Sequence, residues 1–570
     1  MSPKSSLLPH VMPNISEWPI YLLSEDRKRF VREIQDQTLA YFLELPLEKQ
    51  TDVINKTIYL ERIRVKEEPW KVDPAKEEQF FKRLQQKLIK SSIGQTADQT
   101  RVINREIFES LIQRYAEEIV GTFKIGTFRF ARKFLTLFFT RLLNTAAAKN
   151  LFDIWGNKMR LSDRMIVDGP LDKIRELMSK GTLVFLPTHF SNLDSILVGF
   201  AIDTFVGIPA PIYGAGLNLY NSGIAAYFMN RLGAYRVDRR KKNAIYLETL
   251  KNMSSLALQR GTNSVFFPGG TRSRSGSLET KLKLGLLSTL VEAQRSNMES
   301  GKGEKIFVVP MILSYHFVLE ARFLIEQHLR RMGREKYLRE KDRSNQLYQI
   351  LTYSWHSFSQ KNDVMISFGE PMDVMGNVVN AAGESFDQYG KQIDIAEYFM
   401  RDGKLVTDPQ RDGEYTRILA DKVVESYFRY NIVLSSHLTA YAAFEWLKMQ
   451  DPKLDLYGIL RLPPEDIVFS KSGLMQIISS VRASLLAQEA AGKVKLSPIL
   501  RQDPEVILKD GIRHLGSYHY FKPLKFNKQG KVVSQNLKTL FFYHNRLDYY
   551  NLEGVIPPVE GNKSIPLFEE

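Results

Sequence analysis

An α/β fold is predicted, with a mixed central sheet flanked by helices and with helical N-terminal and C-terminal extensions. Two observations predict it. From about residue 155, short β-rich runs (Leu183–Leu186, Ser264–Phe267, Ile306–Val309 and Val364–Phe368) alternate with helical stretches, as strands of one sheet do when helices cover its faces. On either side of that region, apolar residues recur at helical spacing instead. At 570 residues, 44% apolar and 25% charged, the chain can bury a large core and more than one structural unit.

Residues 1–150 read as a helical region. EEQFFKRLQQKLIKS is a helix by spacing, and SSIGQTADQT, from Ser91, is a polar loop. The segment VGTFKIGTFRFARKFLTLFFTRLLN, from Val120, sets Phe123, Phe128, Phe130, Phe134, Phe138 and Phe139 among Lys124, Arg129, Arg132, Lys133 and Arg141. Two readings fit it: a membrane-interface helix with its cations near lipid phosphates, or a core-packing helix with a solvated basic edge. Gly121 and Gly126 weaken the helix at its start. Residues 151–384 read as the α/β domain. Residues 385–570 return to helical patterning, as in YTRILADKVVESYFRYNIVLSSHLTAYAAFEWL, and close on the aromatic TLFFYHNRLDYY.

The chain has no cysteine, which excludes disulfides, thiolate zinc sites and a cysteine nucleophile. Its histidines fall in no ligand spacing, so no metal and no cofactor are expected. The net charge of +15 suits an anionic partner: nucleic acid, an anionic membrane surface or a phosphorylated metabolite. No zinc-finger, RRM or P-loop signature supports nucleic acid. The N-terminus lacks the apolar core of a signal peptide, and no apolar run is long enough to span a bilayer, so any membrane contact is expected to be peripheral.

Four short blocks carry the candidate chemistry. His189 follows the apolar run Leu183–Leu186, and Asp194 stands five residues on. If the histidine lies in the turn and the aspartate opens a helix, the carboxylate fixes the imidazole tautomer and leaves its other nitrogen as a base. Equally, Ser191 and Asn192 are plain N-caps and Asp194 a first-turn charge. The second block, GAYRVDRRKKN, is either solvated surface or an anion-binding rim with Arg239 as the leading candidate. The third, SVFFPGGTRSRSG, supplies glycines, hydroxyls and guanidinium groups of the kind that cradle phosphate, through Gly270, Thr271, Arg272 and Ser273, with Lys283 extending the cationic surface. A basic loop without a ligand is the alternative. The fourth, IFVVPMILSYH, is a buried strand interrupted by Pro310, which contributes shape.

Taken in this order, the four blocks resemble the glycerolipid acyltransferase superfamily, whose mark is H-x-x-x-x-D. HFSNLD, GAYRVDR, FPGGTRS and VVPMILSY match its blocks. The likeness is nearest to the bacterial glycerol-3-phosphate acyltransferases, supported by AGLNLYNSGIAAYFMNRLGAYRV and by the ending FFYHNRLDYY. The resemblance implies that His189 deprotonates a glycerol hydroxyl, that Asp194 orients it, and that Arg239 and Arg272 hold the acceptor phosphate in a pocket shaped by Gly270, Thr271 and Ser273. It also implies an acyl-CoA or acyl-carrier-protein donor, and work at the cytoplasmic face of a bacterial inner membrane. Two positions depart from it. Gly269 stands where the family usually has a glutamate, and Asp238 gives the V-D-R form seen in lysophosphatidate acyltransferases. Lysophosphatidate as acceptor, and a non-catalytic lipid-binding relative, are therefore the alternatives.

Overall fold

The structure is a computed structural model that describes residues 8–70, 73–74, 76–91, 96–145, 165–220, 223–333, 364–517 and 519–558. Four residues of the expected loop (92–95), the opening of the α/β unit at 151–164, Asn221–Ser222 and the last residues, 559–570, lie outside these. So do the side chains of Phe138, Phe139 and Arg141.

The N-terminal region is helical, as its spacing predicts: α1 (Pro19–Glu25), α2 (Arg27–Leu43), α3 (Leu47–Glu67), α4 (Glu77–Ser91), α5 (Ala97–Ile119) and α6 (Ile125–Thr145). Thr96 and Gln99 form a reciprocal capping box that starts α5 inside the segment read as loop. The glycines at the head of the Phe-rich segment have different fates. Gly121 lies in an extended stretch where an added Cβ would fall 1.9 Å from the Ala234 carbonyl oxygen, so only glycine permits that approach. Gly126 sits inside α6 with nothing near it.

The central region forms β1 (Met165–Asp168), α7 (Leu171–Leu177), β2 (Gly181–Pro187), α8 (Asp194–Ala201), β3 (Ile212–Gly216), α9 (Gly223–Met229), β4 (Ala234–Val237), α10 (Ala244–Gln259), β5 (Ser264–Val265), α11 (Leu284–Glu299), β6 (Lys305–Tyr315), α12 (Ala321–Met332) and β7 (Val364–Phe368). The strands make one seven-stranded sheet in the order β1-β7-β6-β2-β5-β3-β4. Neighbours are parallel except β6 and β7, which are antiparallel. The sheet is therefore mixed, as expected. β2 and β6 are buried almost throughout, which explains their continuous apolar runs. Alternate side chains enter opposite cores: Leu183, Phe185, Phe307 and Val309 join one, and Val184, Leu186, Ile306 and Val308 the other.

Pro310 does not interrupt β6. The strand exchanges hydrogen bonds with Met372 at Val308, accepts from Gly369 N at the Pro310 oxygen, and then pairs with β7 from Met311. By strand alternation the missing N–H faces the irregular 369–372 segment, where no ladder bond is lost.

Beyond the sheet, residues 378–405 form short two-residue strand pairs, and helix returns at α13 (Pro409–Tyr430) and α14 (Ser435–Gln450). The long helical-looking run breaks between these two, where Ile432–Val433 pairs with Lys495–Leu496. There follow α15 (Leu456–Arg461), α16 (Lys471–Ala490), α17 (Pro504–Ser517) and α18 (Leu537–His544). α14 to α18 share one hydrophobic core with the sheet, and α13 buries its apolar face in the core on the opposite side.

Candidate active site

β2 delivers Thr188 and His189 to the edge of the core. Thr188 is tied to β6 twice: its N–H donates to the Met311 oxygen at 2.9 Å, and its Oγ1 accepts from Leu313 N at 3.2 Å. His189 is then held on both sides of its main chain. Its N–H donates to Glu279 Oε1 at 2.9 Å, and its oxygen accepts from Ser273 N at 2.7 Å. The imidazole stacks on Phe267 with centroids 4.2 Å apart.

Asp194 is the first residue of α8 and is fully buried. Its Oδ2 lies 2.8 Å from His189 Nδ1 and also accepts from Phe190 N at 2.6 Å and Ser191 N at 2.9 Å. Its Oδ1 accepts from the Tyr315 hydroxyl at 2.6 Å. Four donors converge on one carboxylate, the set that an ionised aspartate can accept. Burial first, and the Asp194 charge next, hold the Tyr315 phenol far above its ordinary pKa, so it acts as a donor. With Asp194 on Nδ1, that nitrogen carries the proton and Nε2 is the basic atom. Nε2 has no hydrogen bond among the described residues. Of the plain capping alternative the first-turn charge holds, since Asp194 opens α8, but Ser191 and Asn192 are not its N-cap, which is Leu193 without a side-chain bond. Ser191 Oγ and Asn192 N instead donate to the two oxygens of Glu320, at 3.1 and 3.0 Å.

The third block wraps this turn. Gly270 adopts φ +77°, a left-handed turn that favours glycine, and its N–H donates to the Phe267 oxygen. Lys283 is exposed and its Cγ lies 3.2 Å from where a Gly270 Cβ would be, so its stem covers the glycine. Thr271 is exposed. Ser273 bonds within the loop, its hydroxyl donating to the Ser277 oxygen at 2.7 Å and accepting from Gly276 N. Arg272 Nη1 donates to Glu320 Oε1 at 3.2 Å, which fastens its guanidinium to the carboxylate that also holds Ser191 and Asn192.

The second block divides its cations. Arg240 bonds Asp238, Asp73 and the Glu68 oxygen, and Lys241 pairs with Glu118; both join the sheet to the N-terminal helices. Arg239 stands apart, exposed and with no ion pair among the described residues. Desolvation by surrounding atoms, and then the Arg272 charge, lower its pKa from the ordinary arginine value. Two guanidiniums that repel each other, one of them unpaired, form a place where an anion is stabilised.

Residues 170–314 match the Acyltransferase family model. Within the α/β unit, that span is an acyltransferase domain, in keeping with the superfamily that the four blocks resemble. The chain is similar to the glycerol-3-phosphate acyltransferase of Alteromonas mediterranea, 23% identical over 275 residues, and to that of Pseudomonas paraeruginosa, 24% identical over 286. The same enzyme of Pseudomonas aeruginosa also matches at 24%. These spans cover 48–50% of this chain and only 29–30% of those relatives.

Four groups around this candidate site are not legible in the sequence: Tyr315, Glu320, Glu279 and Arg546. Tyr315 and Glu320 lie at and just beyond the end of the fourth block, whose contribution is thus a phenol and a carboxylate more than the proline. Arg546 comes from the aromatic ending. It lies with its guanidinium 4.1 Å from the Phe190 ring centroid and donates to Leu313 O and Asn431 Oδ1. Burial pulls its pKa down to about 10.

Proposed function

We propose that this chain transfers a fatty acyl group from an acyl-CoA or acyl-carrier-protein thioester to the sn-1 hydroxyl of glycerol 3-phosphate, a step of phospholipid synthesis. The observation that carries the reading is the His189–Asp194 pair at the exit of β2, with Arg239 and Arg272 close to one another beside it. His189 Nε2 takes the hydroxyl proton as that oxygen attacks the thioester carbonyl; the C–O bond forms, the C–S bond breaks, and the proton passes to the departing thiolate. Arg239 and Arg272 hold the acceptor phosphate, in the manner of guanidinium–phosphate pairs. The names of the relatives support a glycerol-phosphate acceptor; Asp238 favours lysophosphatidate as the second reading.

The enzyme works, in this reading, as a peripheral protein on the cytoplasmic face of a bacterial inner membrane. No helix among the described residues is long and apolar enough to cross a membrane. Phe130, Phe134 and Leu137 of α6 and Ile224 and Tyr227 of α9 are exposed. Phe130 stacks on Phe228 at 6.0 Å, with Arg129 and Lys133 exposed beside it, a composition that suits anionic lipid.

The test offers labelled acyl-CoA and acyl-carrier protein to the purified protein with phospholipid, and supplies glycerol 3-phosphate and lysophosphatidate separately. Product from glycerol 3-phosphate that vanishes in His189→Ala is expected. Product from lysophosphatidate alone moves the enzyme to the second acylation, and no product from either acceptor overturns the reading.

A further inference from the structure

We propose that Glu279 positions His189, and that it does so from the space a side chain at residue 269 would otherwise occupy. The first support is direct contact, since Glu279 Oε1 accepts the His189 N–H at 2.9 Å. The second is volume. A Cβ built on Gly269 would lie 3.0 Å from Glu279 Cγ and 3.2 Å from Oε1. Gly269 does not have the positive φ of Gly270, so its backbone does not demand glycine. What crowds a side chain there is Glu279, whose stem and carboxylate would have to give way by a few tenths of an ångström. The third is an unmet group: Glu279 Oε2 is buried with no hydrogen-bond partner among the described residues. Native structures rarely keep such an oxygen without a reason.

The loop makes this placement reproducible. Lys283 N donates to the Pro268 oxygen at 2.7 Å, so the chain leaving β5 returns to its own start and folds Glu279 back under residue 269. Ser273 N on the His189 oxygen and Glu279 on the His189 N–H then fix the two peptide groups that flank the His189 Cα. An imidazole whose backbone is held at both ends, whose ring rests on Phe267 and whose Nδ1 is held by Asp194 has little freedom to leave its attacking position. The third block of this chain lacks the glutamate usual in the resembling family, and Glu279 places a carboxylate in that same space, ten residues later in the chain.

The kinetic arm rests on the acyl-transfer reading above. Glu279→Leu fills the space without an acceptor and is expected to lower kcat about 30-fold, with KM for both substrates within about threefold. Glu279→Gln keeps an acceptor and is expected within about threefold of wild type. Gly269→Glu alone crowds two carboxylates together and lowers activity, whereas Gly269→Glu combined with Glu279→Ala is expected to recover about tenfold over Glu279→Ala. Wild-type kcat in Glu279→Leu, or a double variant no better than Glu279→Ala, overturns the proposal. A second arm needs no activity: hydrogen exchange of the His189 amide, slow in wild type and Glu279→Gln, is expected to be fast in Glu279→Leu. Equal protection in all three overturns the inference. A wild type that transfers acyl groups to no acceptor overturns the proposed function instead, and the exchange arm still decides the role of Glu279.

Discussion

Asp194 accepts four hydrogen bonds inside the fold and faces none of the solvent, so its chemistry cannot be separated from its structural role. Asn at this position turns its NH2 against either the three donors on the Oδ2 side or the Tyr315 hydroxyl on the Oδ1 side, and permits the wrong histidine tautomer. Asp194→Asn is expected to lower kcat by about 10³-fold, read in the same transfer assay, with a lower melting temperature. Glu279 gives a second prediction. Burial first, then repulsion from Asp194, raises its pKa from 4.5 to about 7, against hydrogen bonds from His189 N and its own N–H and the charge of Arg546. Between those values the unfolded chain has lost the proton that the folded chain keeps, so stability falls as pH rises from about 4.5 through 7. Wild type is expected to lose roughly 3 kcal/mol relative to Glu279→Gln over that window, measured by denaturant titration at each pH. A difference that stays flat with pH would refute it. At this scale the His189–Asp194 contact was legible because five residues separate the pair, whereas Arg239 and Arg272, candidates by residue type, come near each other only in the fold. Glu279 and Tyr315 were invisible, because their partners are 90 and 121 residues away.

At the scale of elements, the third block is shaped by what lies behind it. Gly276 has φ +90° and a Cβ there would fall 2.0 Å from the Phe542 oxygen, while Asn545 Nδ2 donates to the Ser275 oxygen at 2.9 Å. The loop that holds His189 is thus seated on α18 and the turn after it. Gly276→Ala, at a left-handed position with no room, is expected to cost about 2 kcal/mol or more of stability and to lower kcat as the loop lifts away. Unchanged unfolding midpoints would show that the loop is not seated there. Strands were legible where both faces are buried, as in β2 and β6, because their runs are continuously apolar. β3 and β4 were missed: Ile212–Gly216 and Ala234–Val237 contain glycines, alanines and an arginine, and their strand state comes from pairing with each other. Pro310 looks like an interruption in the sequence because nothing local shows which edge its missing N–H faces.

For the whole molecule, the outward face of α6 and its neighbour α9 is the surface that the proposed membrane contact would use. Phe130 and Phe134 are 60% and 47% exposed, large apolar surfaces that bilayer insertion would bury. Phe130→Ser combined with Phe134→Ser is expected to weaken co-flotation with phosphatidylglycerol vesicles about tenfold at 0.1 M salt, and 0.5 M salt to weaken the wild type as well. Undiminished flotation of the double variant would move the membrane contact to another face. The core-packing reading of this segment holds for one side of it: Phe123 and Phe128 pack with Trp18 in the N-terminal core, and Arg132 pairs with Asp203, while Phe130 and Phe134 look outward and the flotation measurement tests the membrane reading.

By itself the sequence determined the alternation of strands and helices, the histidine–aspartate turn and the cationic blocks, all properties carried by residues within a dozen positions of each other. Only the tertiary structure decided which cations remain available, since Arg240 and Lys241 are consumed by Asp73 and Glu118 while Arg239 is left near Arg272. It also decided which carboxylate stands against His189 in place of a side chain at Gly269. The reason is physical: charge pairing and excluded volume act through space, and chain separation does not enter either.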